Sequence, residues 1–273
     1  MNADNTYKKF DNEGNVINTS FYSSIRNVKR NDYGIFVSFD NRWRNLSFDV
    51  GARYDYFNLS ADNTELIDVN KFSSNAVTGF VASLYKFPRD IIFIGRVGRA
   101  YRLAGLSERF YVGITGRGYV IGDPNLSAEK SINFDMGIKV VKRNYYVGVY
   151  GFYYKINDMV ERYKVSSSIY TYGNIESGVI KGLEGEIEFY PMQGLKVYAS
   201  IMNYLGKSEA TGDYLNDIPP FRAISGVKLF KGGYWIELEG IYQHRHTHIG
   251  PAEIKIPSYI VLNLVSVFDV KND

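Results

Sequence analysis

The chain of 273 residues contains no cysteine, two tryptophans, seven prolines and three histidines. The absence of cysteine excludes a disulfide-stapled scaffold and a thiolate metal site. No stretch has the length of apolar sequence that a membrane-spanning helix needs, about 20 residues. The first residues have no apolar core either, so we do not expect a signal peptide in this sequence.

An excess of charge of one sign is also missing, since 32 lysines and arginines stand against 29 aspartates and glutamates. The formal net charge of +3 gives no reason to expect nucleic acid as a partner. Tyrosine, phenylalanine and glycine are abundant, with 24, 17 and 26 residues. Aromatic residues of this kind favour β-strands, and the composition therefore suits an all-β fold.

The segment LEGEIEFYPMQGLKVYASI, residues 183–201, shows a pattern that recurs along the chain. Successive side chains of a β-strand point to opposite faces. One face is apolar and consists of Leu183, Gly185, Ile187 and Phe189. The other face is acidic and consists of Glu184, Glu186 and Glu188. Because ionised carboxylates are costly in hydrocarbon, we expect the apolar face to meet lipid and the acidic face to meet a wet lumen.

Alternating runs of this kind predict about eleven strands, most of them about ten residues long or longer. They lie near residues 31–40, 45–57, 75–86, 91–102, 131–141, 145–156, 173–190, 195–204, 221–230, 234–243 and 258–268. A strand tilted across a bilayer needs roughly 9–11 residues. The lengths therefore favour an antiparallel transmembrane β-barrel.

The predicted connections alternate without exception between short and long. The short ones are residues 41–44, 87–90, 142–144, 191–194 and 231–233. The long polar ones are roughly 58–74, 103–130, 157–172, 205–220 and 244–257, and the polar start of the chain is expected to be another loop on their side. Tight turns at one rim and long loops at the other are typical of outer-membrane barrels, whereas a soluble sandwich has no reason to keep its ends so unequal.

Aromatic residues gather beside the short connections. They are Trp43, Tyr85, Phe87, Tyr145, Tyr146, Phe189, Tyr190, Phe230, Tyr234 and Trp235. Amphipathic rings prefer the interface between lipid tails and water. We interpret them as an aromatic girdle; the alternative is the general preference of aromatic residues for strands.

Six segments resemble, in order, the C-terminal part of the β-barrel of TonB-dependent outer-membrane receptors. They are GRAYRLAGLSERF (98–110), VIGDPNLSAEKSINFDMGIK (120–139), GFYYKINDMV (151–160), YGNIESGVIKGLEGEIEFYP (172–191), IPPFRAISGVKL (218–229) and IPSYIVLNLVSVF (256–268). Residues 1–97 fit by strand pattern alone. The resemblance implies a barrel of 22 strands, of which residues 1–273 would supply about eleven.

By this resemblance we expect residues 1–273 to be a fragment of a longer receptor, because its plug domain, TonB-contacting box, signal peptide and last strands are not recognisable here. An odd number of strands also cannot close an ordinary single-chain barrel in lipid. The fragment is not expected to transport anything by itself.

The resemblance implies that the intact receptor lies among the lipids of the outer membrane of a Gram-negative bacterium. It would bind a small-molecule metal chelate such as an iron–siderophore and import it with energy passed from the TonB complex through the missing plug, without a cofactor. The alternatives are a passive porin-like barrel and a soluble all-β binding domain.

Two groups of residues are candidates for binding. Arg109 and Arg117 lie in the long loop 103–130, where they could contact an anionic ligand; the alternative is solvated surface charge. His244, His246 and His248 share one face of an extended segment, a spacing that could bind a metal; the alternative is a polar loop that uses histidine.

Carboxylates on the predicted lumen face resemble catalytic pairs at first sight. They are Asp49, Asp55, Glu184, Glu186, Glu188, Glu237 and Glu239. Arg53, Lys139 and Lys196 are interleaved with them, and the sequence offers no defensible Ser–His pairing on neighbouring strands. We therefore expect a mixed polar wall and not an enzyme.

Spin labels at Leu183, Ile187 and Ile236 test the assignment of the two faces. If these side chains face lipid, lipid-soluble oxygen will relax the labels more strongly than an aqueous paramagnetic quencher, both in detergent and in bilayers. A label at Glu186 on the opposite face should show the reverse preference. Dominant access of the aqueous quencher to the first three labels would contradict the assignment.

Overall fold

The computed structural model describes residues 3–11, 13–25, 27–62, 67, 71–116, 118–251 and 253–268. The strands among them are β1 (Ala3–Phe10), β2 (Val16–Ile25), β3 (Lys29–Trp43), β4 (Leu46–Ser60), β5 (Lys71–Lys86), β6 (Ile91–Arg102), β7 (Val112–Thr115), β8 (Gly118–Ile121), β9 (Glu129–Val141), β10 (Tyr145–Ser166), β11 (Ile169–Met192), β12 (Leu195–Ser208), β13 (Arg222–Lys231), β14 (Tyr234–Gln243) and β15 (Tyr259–Phe268). A short helix, α1 (Leu106–Phe110), and a 3-10 turn, Pro88–Asp90, accompany them. Within the described ranges, no helix is both long enough and apolar enough to cross a lipid bilayer.

One large sheet dominates the structure. Through the described residues, eleven strands follow one another in the order β3-β4-β5-β6-β9-β10-β11-β12-β13-β14-β15, and each neighbouring pair is antiparallel. These are the eleven strands that alternation predicts, so the all-β antiparallel architecture is confirmed. The sheet is open, because β3 and β15 each have one strand partner in the part of the chain that the structure describes.

The predicted short turns are confirmed as the connections β3–β4, β5–β6, β9–β10, β11–β12 and β13–β14. The turn between β11 and β12 shows why its glycine is needed. Gly194 has a φ of +84°, and a Cβ there would lie 2.5 Å from the carbonyl oxygen of Phe230. Both the left-handed backbone and the close approach of the next turn exclude a side chain at this position.

The predicted long loop 157–172 is wrong. β10 continues to Ser166 and β11 begins at Ile169, so only residues 167–168 connect them. Pairs such as Met159↔Ile175 and Tyr163↔Thr171 continue the ladder in the same register, which shifts between Lys164 and Ser166 beside the turn. Polar composition indicated a loop, but backbone hydrogen bonds complete a ladder whatever the side chains, and tyrosine, threonine and valine suit it.

The polar start of the chain and the loop 103–130 also differ from expectation. Strands β1 and β2 pair as a separate antiparallel hairpin where an open loop was expected. The loop between β6 and β9 contains α1 and the hairpin β7–β8, and β8 runs parallel to the start of β11 through Ile169↔Tyr119. The long loops at this rim are therefore structured.

The two faces of the sheet differ as the alternation predicts. On the outer face Leu183, Ile187, Met136 and Leu238 expose 54%, 46%, 62% and 55% of their surface. Monomeric soluble proteins rarely expose so many large apolar side chains on one face. This face is the one expected to meet lipid.

On the inner face the carboxylates are held by tyrosine hydroxyls and lysines. Tyr146 donates to Glu186 at 2.5 Å, Tyr190 to Glu188 at 2.8 Å and Tyr198 to Glu237 at 2.8 Å. Tyr204 donates to Glu184, and Lys196 and Lys228 form ion pairs with Glu188 and Glu237. The inner face is the mixed polar wall that the sequence predicts.

Inner-face glycines lie directly opposite aromatic side chains of the neighbouring strand. The cross-strand pairs are Gly51–Phe80, Gly137–Tyr150, Gly182–Phe152, Gly182–Tyr204 and Gly226–Tyr198. A Cβ on Gly182 would lie 2.5 Å from Cδ1 of Tyr204 and 2.6 Å from Cε1 of Phe152. Each glycine therefore makes room for a ring that packs along the wall.

Substitution of Gly182 by alanine tests this packing. The added methyl group must displace two rings at once, and overpacking of this kind costs about 1–3 kcal/mol. We expect the folded band of the detergent-purified protein to convert to the unfolded band at a lower temperature in gel-shift experiments. Gly151→Ala is the matched control, because its nearest neighbouring atom lies at 3.7 Å. Equal melting of both variants would contradict the proposed role of the rings.

Candidate ligand-binding site

Buried apolar side chains of the described residues collect at the rim that carries the long loops. The main cluster consists of Ile25, Val28, Phe57, Leu59, Ala61, Ile67, Leu103 and Phe110. It joins the end of β2, the end of β4 and the segment around α1. We call residues 103–128 together with these strand ends the loop layer, which is packed like a small domain core.

Arg109 of α1 lies at the centre of the loop layer with 0% of its surface exposed. Its guanidinium donates to the carbonyl oxygens of Pro124 at 2.7 Å, Leu126 at 2.5 Å and Ala104 at 3.4 Å. The ring centroid of Phe72 lies 3.8 Å from its Cζ. Burial lowers the pKa of the Arg109 guanidinium to about 10, so it remains charged at neutral pH.

The position of Arg109 gives it a structural role. It donates to three loop carbonyl groups, of which those of Ala104 and Leu126 would otherwise be buried without this donor. Its charge is not presented at the surface of the loop, and the structure provides no contact through which it would reach a ligand. Ligand contact by Arg109 stays a prediction of the sequence.

An ion-paired cluster connects the loop layer to the sheet. Arg102, at the end of β6, pairs with Glu129 at 2.6 Å and with Glu108 of α1 at 2.8 Å. Glu129 also accepts a hydrogen bond from the backbone N–H of Val160 at 2.7 Å, and Glu108 accepts one from the N–H of Gly105 at 2.5 Å. These contacts fix the height and orientation of α1 above the inner wall.

Two further long loops are tied to each other and to the extended part of β10. The Nδ2 of Asn216 donates to Glu161 at 2.6 Å. Glu253 accepts from the N–H groups of Asp217 at 2.9 Å and Gly250 at 2.8 Å. Burial raises the pKa of Glu161 above its usual range. The loops after β12 and β14 therefore hold defined positions.

Below the loop layer the inner wall forms a cavity of about 1070 Å³. Five arginines line it together with three aspartates and several aromatic side chains. Arg99 points along the outer side of β6, and the inner-face charged residues are Arg30, Arg53, Arg96 and Arg102, and Asp32, Asp55 and Asp135. We call this space the inner-wall cavity. Its mixture of guanidinium groups and rings suits a bulky, anionic and partly aromatic ligand.

Arg96 differs from the other three inner-face arginines. Arg30 pairs with Asp32 at 2.8 Å, Arg53 pairs with Asp55 at 2.7 Å, and Arg102 is held as described above. Asp135, opposite Arg96 across the strands, instead accepts from the hydroxyl of Tyr154 at 2.6 Å. Over the described ranges Arg96 makes no ion pair. Its Cζ lies 5.0 Å from the centre of the Phe80 ring. It is thus a cation presented to the cavity.

Sequence reasoning did not select the arginines of the inner-wall cavity. Arg117, the second predicted ligand contact, lies outside the described residues. A usable signal was present, because Arg53 and Arg96 fall on the lumen-facing side of alternating strands near the long loops. The sequence pattern instead indicated the loops, where binding residues are usually found.

The three histidines are not brought together. Nδ1 of His244 lies 3.0 Å from the hydroxyl of Tyr242, and the ring of His248 packs on Tyr214 with centroids 4.6 Å apart. His246 is buried and its backbone bridges to Ile256. In the part of the chain that the structure describes, no three His, Cys, Asp or Glu side chains form a metal-binding group. Metal binding at this segment stays a prediction of the sequence alone.

Comparison with known proteins identifies relatives over the whole chain. A family model described as "TonB dependent receptor-like, beta-barrel" matches residues 1–271. The ferrienterobactin receptor of Escherichia coli (strain K12) is 25% identical over 243 residues, which cover 81% of this chain and 32% of that receptor. The chain therefore spans about a third of the length of the curated relative it matches.

Solved structures share the fold. The copper transporter OprC superposes with a TM-score of 0.79 at 16% identity, covering 97% of this chain and 44% of OprC. The FrpB iron transporter from Neisseria meningitidis (F3-3 variant) gives a TM-score of 0.65 at 14% identity, covering 89% of this chain and 39% of FrpB. The antiparallel wall and its connections are thus those of a known type of barrel.

Replacement of Arg109 by methionine tests its role in the loop layer. Removal of the guanidinium leaves the buried carbonyl groups of Ala104 and Leu126 without this donor, at a cost of about 1–3 kcal/mol each, and the partly buried carbonyl of Pro124 also loses it. We expect amide hydrogen exchange in residues 111–126 to accelerate by at least about tenfold, while exchange in β12–β14 stays unchanged. Arg245→Met, at an exposed loop arginine, is the control. Unchanged protection in residues 111–126 would show that the loop is held by other contacts.

Proposed function

The chain belongs to the TonB-dependent receptor-like β-barrel family, and from that premise we propose that it forms part of the wall of an outer-membrane receptor for active uptake of a metal chelate such as an iron–siderophore. The observation that carries this proposal is the inner-wall cavity below the loop layer, with Arg96 exposed to it and free of an acidic partner in the described structure. Such a site attracts an anionic chelate and rejects simple cations.

The names of similar proteins support the class of ligand. They include a ferrienterobactin receptor, a copper transporter and an iron transporter. A metal ion held in an organic chelate presents carboxylate, catecholate or hydroxamate oxygens, which guanidinium groups bind with charge-assisted hydrogen bonds. Phe80, Tyr101 and Tyr154 add aromatic surface to the same cavity.

The position in the outer membrane is supported by the outer face. Exposed apolar side chains cover the strands, and five aromatic residues of the expected girdle face outward beside the short turns, as in barrels that cross a bilayer. They are Trp43, Tyr85, Tyr145, Phe189 and Tyr234. Tyr146 and Tyr190, also expected in the girdle, instead face inward and donate to Glu186 and Glu188. The loop layer would then face the exterior, where ligand arrives. Coupling to TonB would be made by a plug domain, as the family resemblance implies, and the chain itself contributes wall and loops to transport and no catalytic step.

Replacement of Arg96 by glutamine tests the cavity as a ligand site. With ferric enterobactin as the first probe, we expect the dissociation constant to rise by about tenfold or more, because a hydrogen bond to a charged group contributes about 1.5–3 kcal/mol. Arg143→Gln, in the exposed turn between β9 and β10, removes the same charge at the other rim and should leave binding unchanged. Fluorescence titration of the detergent-purified protein measures both constants.

Uptake by cells that produce a complete receptor containing this wall separates an active receptor from a passive porin-like barrel. Accumulation of the labelled iron chelate should stop when the proton gradient is dissipated, since an active receptor depends on an energised inner membrane. Continued entry in the presence of an uncoupler, together with no saturable binding, would instead establish passive permeation and contradict the proposal.

A further inference from the structure

The outer face carries a group of lysines in the middle of an otherwise apolar wall. Lys155 of β10 and Lys207 of β12 flank Val179 of β11 directly on either side. Lys181 lies two positions along β11, and it stands opposite Tyr153 and Leu205. Side chains at directly opposite and diagonal positions lie about 5–8 Å apart at Cβ. Lys181 is diagonal to both Lys155 and Lys207, so the three side chains share one patch of the outer face, which we call the lysine patch.

The lysine patch lies at the end of the apolar outer face that is farther from the short turns. Lys155 follows Tyr145, a girdle residue at the short-turn rim, by ten positions along β10. With a rise of about 3.3 Å per residue and a strand tilt of about 40°, ten positions correspond to about 25 Å along the membrane normal. This is the height of the apolar band of such barrels. The patch therefore stands at the level of the lipid headgroups on the long-loop side.

Acidic side chains neutralise the positive charge of the lysine patch only in part. Lys155 pairs with Glu209 at 2.8 Å, and Lys207 stacks on the ring of Tyr214 at 5.0 Å. Lys130 extends the row onto β9 and pairs with Asp158 at 3.5 Å. Lys181 makes no ion pair within the described ranges, and all four lysines are exposed. Like charges this close repel one another, so an anion placed between them is stabilised.

Directly below the patch the outer wall has an apolar depression of about 460 Å³. Its lining includes Phe134, Met136, Tyr153, Leu183 and Leu205, with Gly151 on its floor and Lys181 at its edge. Gly151 has no side chain, and the nearest atom to a Cβ there would lie 3.7 Å away. The depression is thus open towards the lipid and wide enough for hydrocarbon.

We propose that the lysine patch and the depression together bind one phosphate-bearing membrane lipid on the outside of the barrel. The phosphate contacts Lys155, Lys181 and Lys207, and an acyl chain occupies the depression over Gly151. The charge of the patch complements a phosphate, and the apolar lining continues from it towards the middle of the membrane, as a lipid tail does. This inference depends on the membrane placement of the outer face described under the proposed function.

Binding of long-chain phosphatidic acid to the detergent-purified protein, counted by native mass spectrometry, tests this inference. The wild-type protein should retain phosphatidic acid in preference to diacylglycerol with the same chains. The triple variant Lys155→Gln, Lys181→Gln, Lys207→Gln should bind it at least tenfold more weakly, because one lysine near an anionic lipid surface contributes about a fivefold factor. The variant that replaces all three by arginine should retain binding.

Control variants distinguish recognition of the lipid phosphate from binding of the acyl chain. Gly151→Leu fills the depression without changing charge and should also weaken retention of phosphatidic acid. Lys164→Gln, Lys231→Gln and Lys255→Gln remove three exposed lysines elsewhere and should have no effect. Conversion between folded and unfolded gel bands on heating verifies that each variant is folded.

Three results would overturn the inference. They are equal retention of phosphatidic acid by wild type and the glutamine triple variant, equal retention of diacylglycerol and phosphatidic acid, and saturable binding of inorganic phosphate as tight as that of the lipid. Each can occur while the spin labels on Leu183 and Ile187 still report lipid. In that case the membrane placement stands and the lipid site fails.

Discussion

The structure depends on a continuous ladder of backbone hydrogen bonds that leaves the two faces of every strand independent of each other. In hydrocarbon, unpaired N–H and C=O groups cost several kcal/mol each, so a wall that crosses a membrane must satisfy all of them internally. The antiparallel order from β3 to β15 does this for each neighbouring pair. Once the ladder is complete, the polarity of one face places no constraint on the other. β11 can therefore carry glutamates on its inner face and leucine and isoleucine on its outer face.

The inner face combines hydrogen-bonded carboxylates with closely packed aromatic rings. Tyrosine hydroxyls bind Glu184, Glu186 and Glu237, while glycines opposite Phe152 and Tyr198 give the rings room. The resulting wall is polar yet closely packed. Near the long-loop rim the same face widens into the inner-wall cavity, where paired arginines and the unpaired Arg96 provide a positively charged surface. The wall and the proposed ligand site therefore use one set of inward positions.

The sequence predicts those parts of the structure in which the two faces of a strand differ in polarity. The eleven strands and the short turns could be predicted, because alternation is strict there and residues such as Gly194 mark the turns. The segment 157–172 could not, because polar side chains in a ladder that extends beyond the apolar part of the sheet have the composition of a loop. The role of Arg109 was equally hidden, since its hydrogen bonds to Pro124 and Leu126 arise only when the loop folds back on itself. Arg96 was predictable in principle, because its position in β6 places a cation on the lumen face.

The extended ribbon of β10 and β11 has a mechanical consequence. Eleven positions separate Lys155 from Ser166 at the end of β10, which corresponds to about 36 Å of strand. β8 and the loop after β12 contact the sides of this ribbon. The ribbon is therefore a rigid projection and not a flexible loop. With the membrane placement proposed above, a short epitope inserted at residues 167–168 would lie well beyond the lipid headgroups, within reach of antibodies, while the wall beneath it keeps its register.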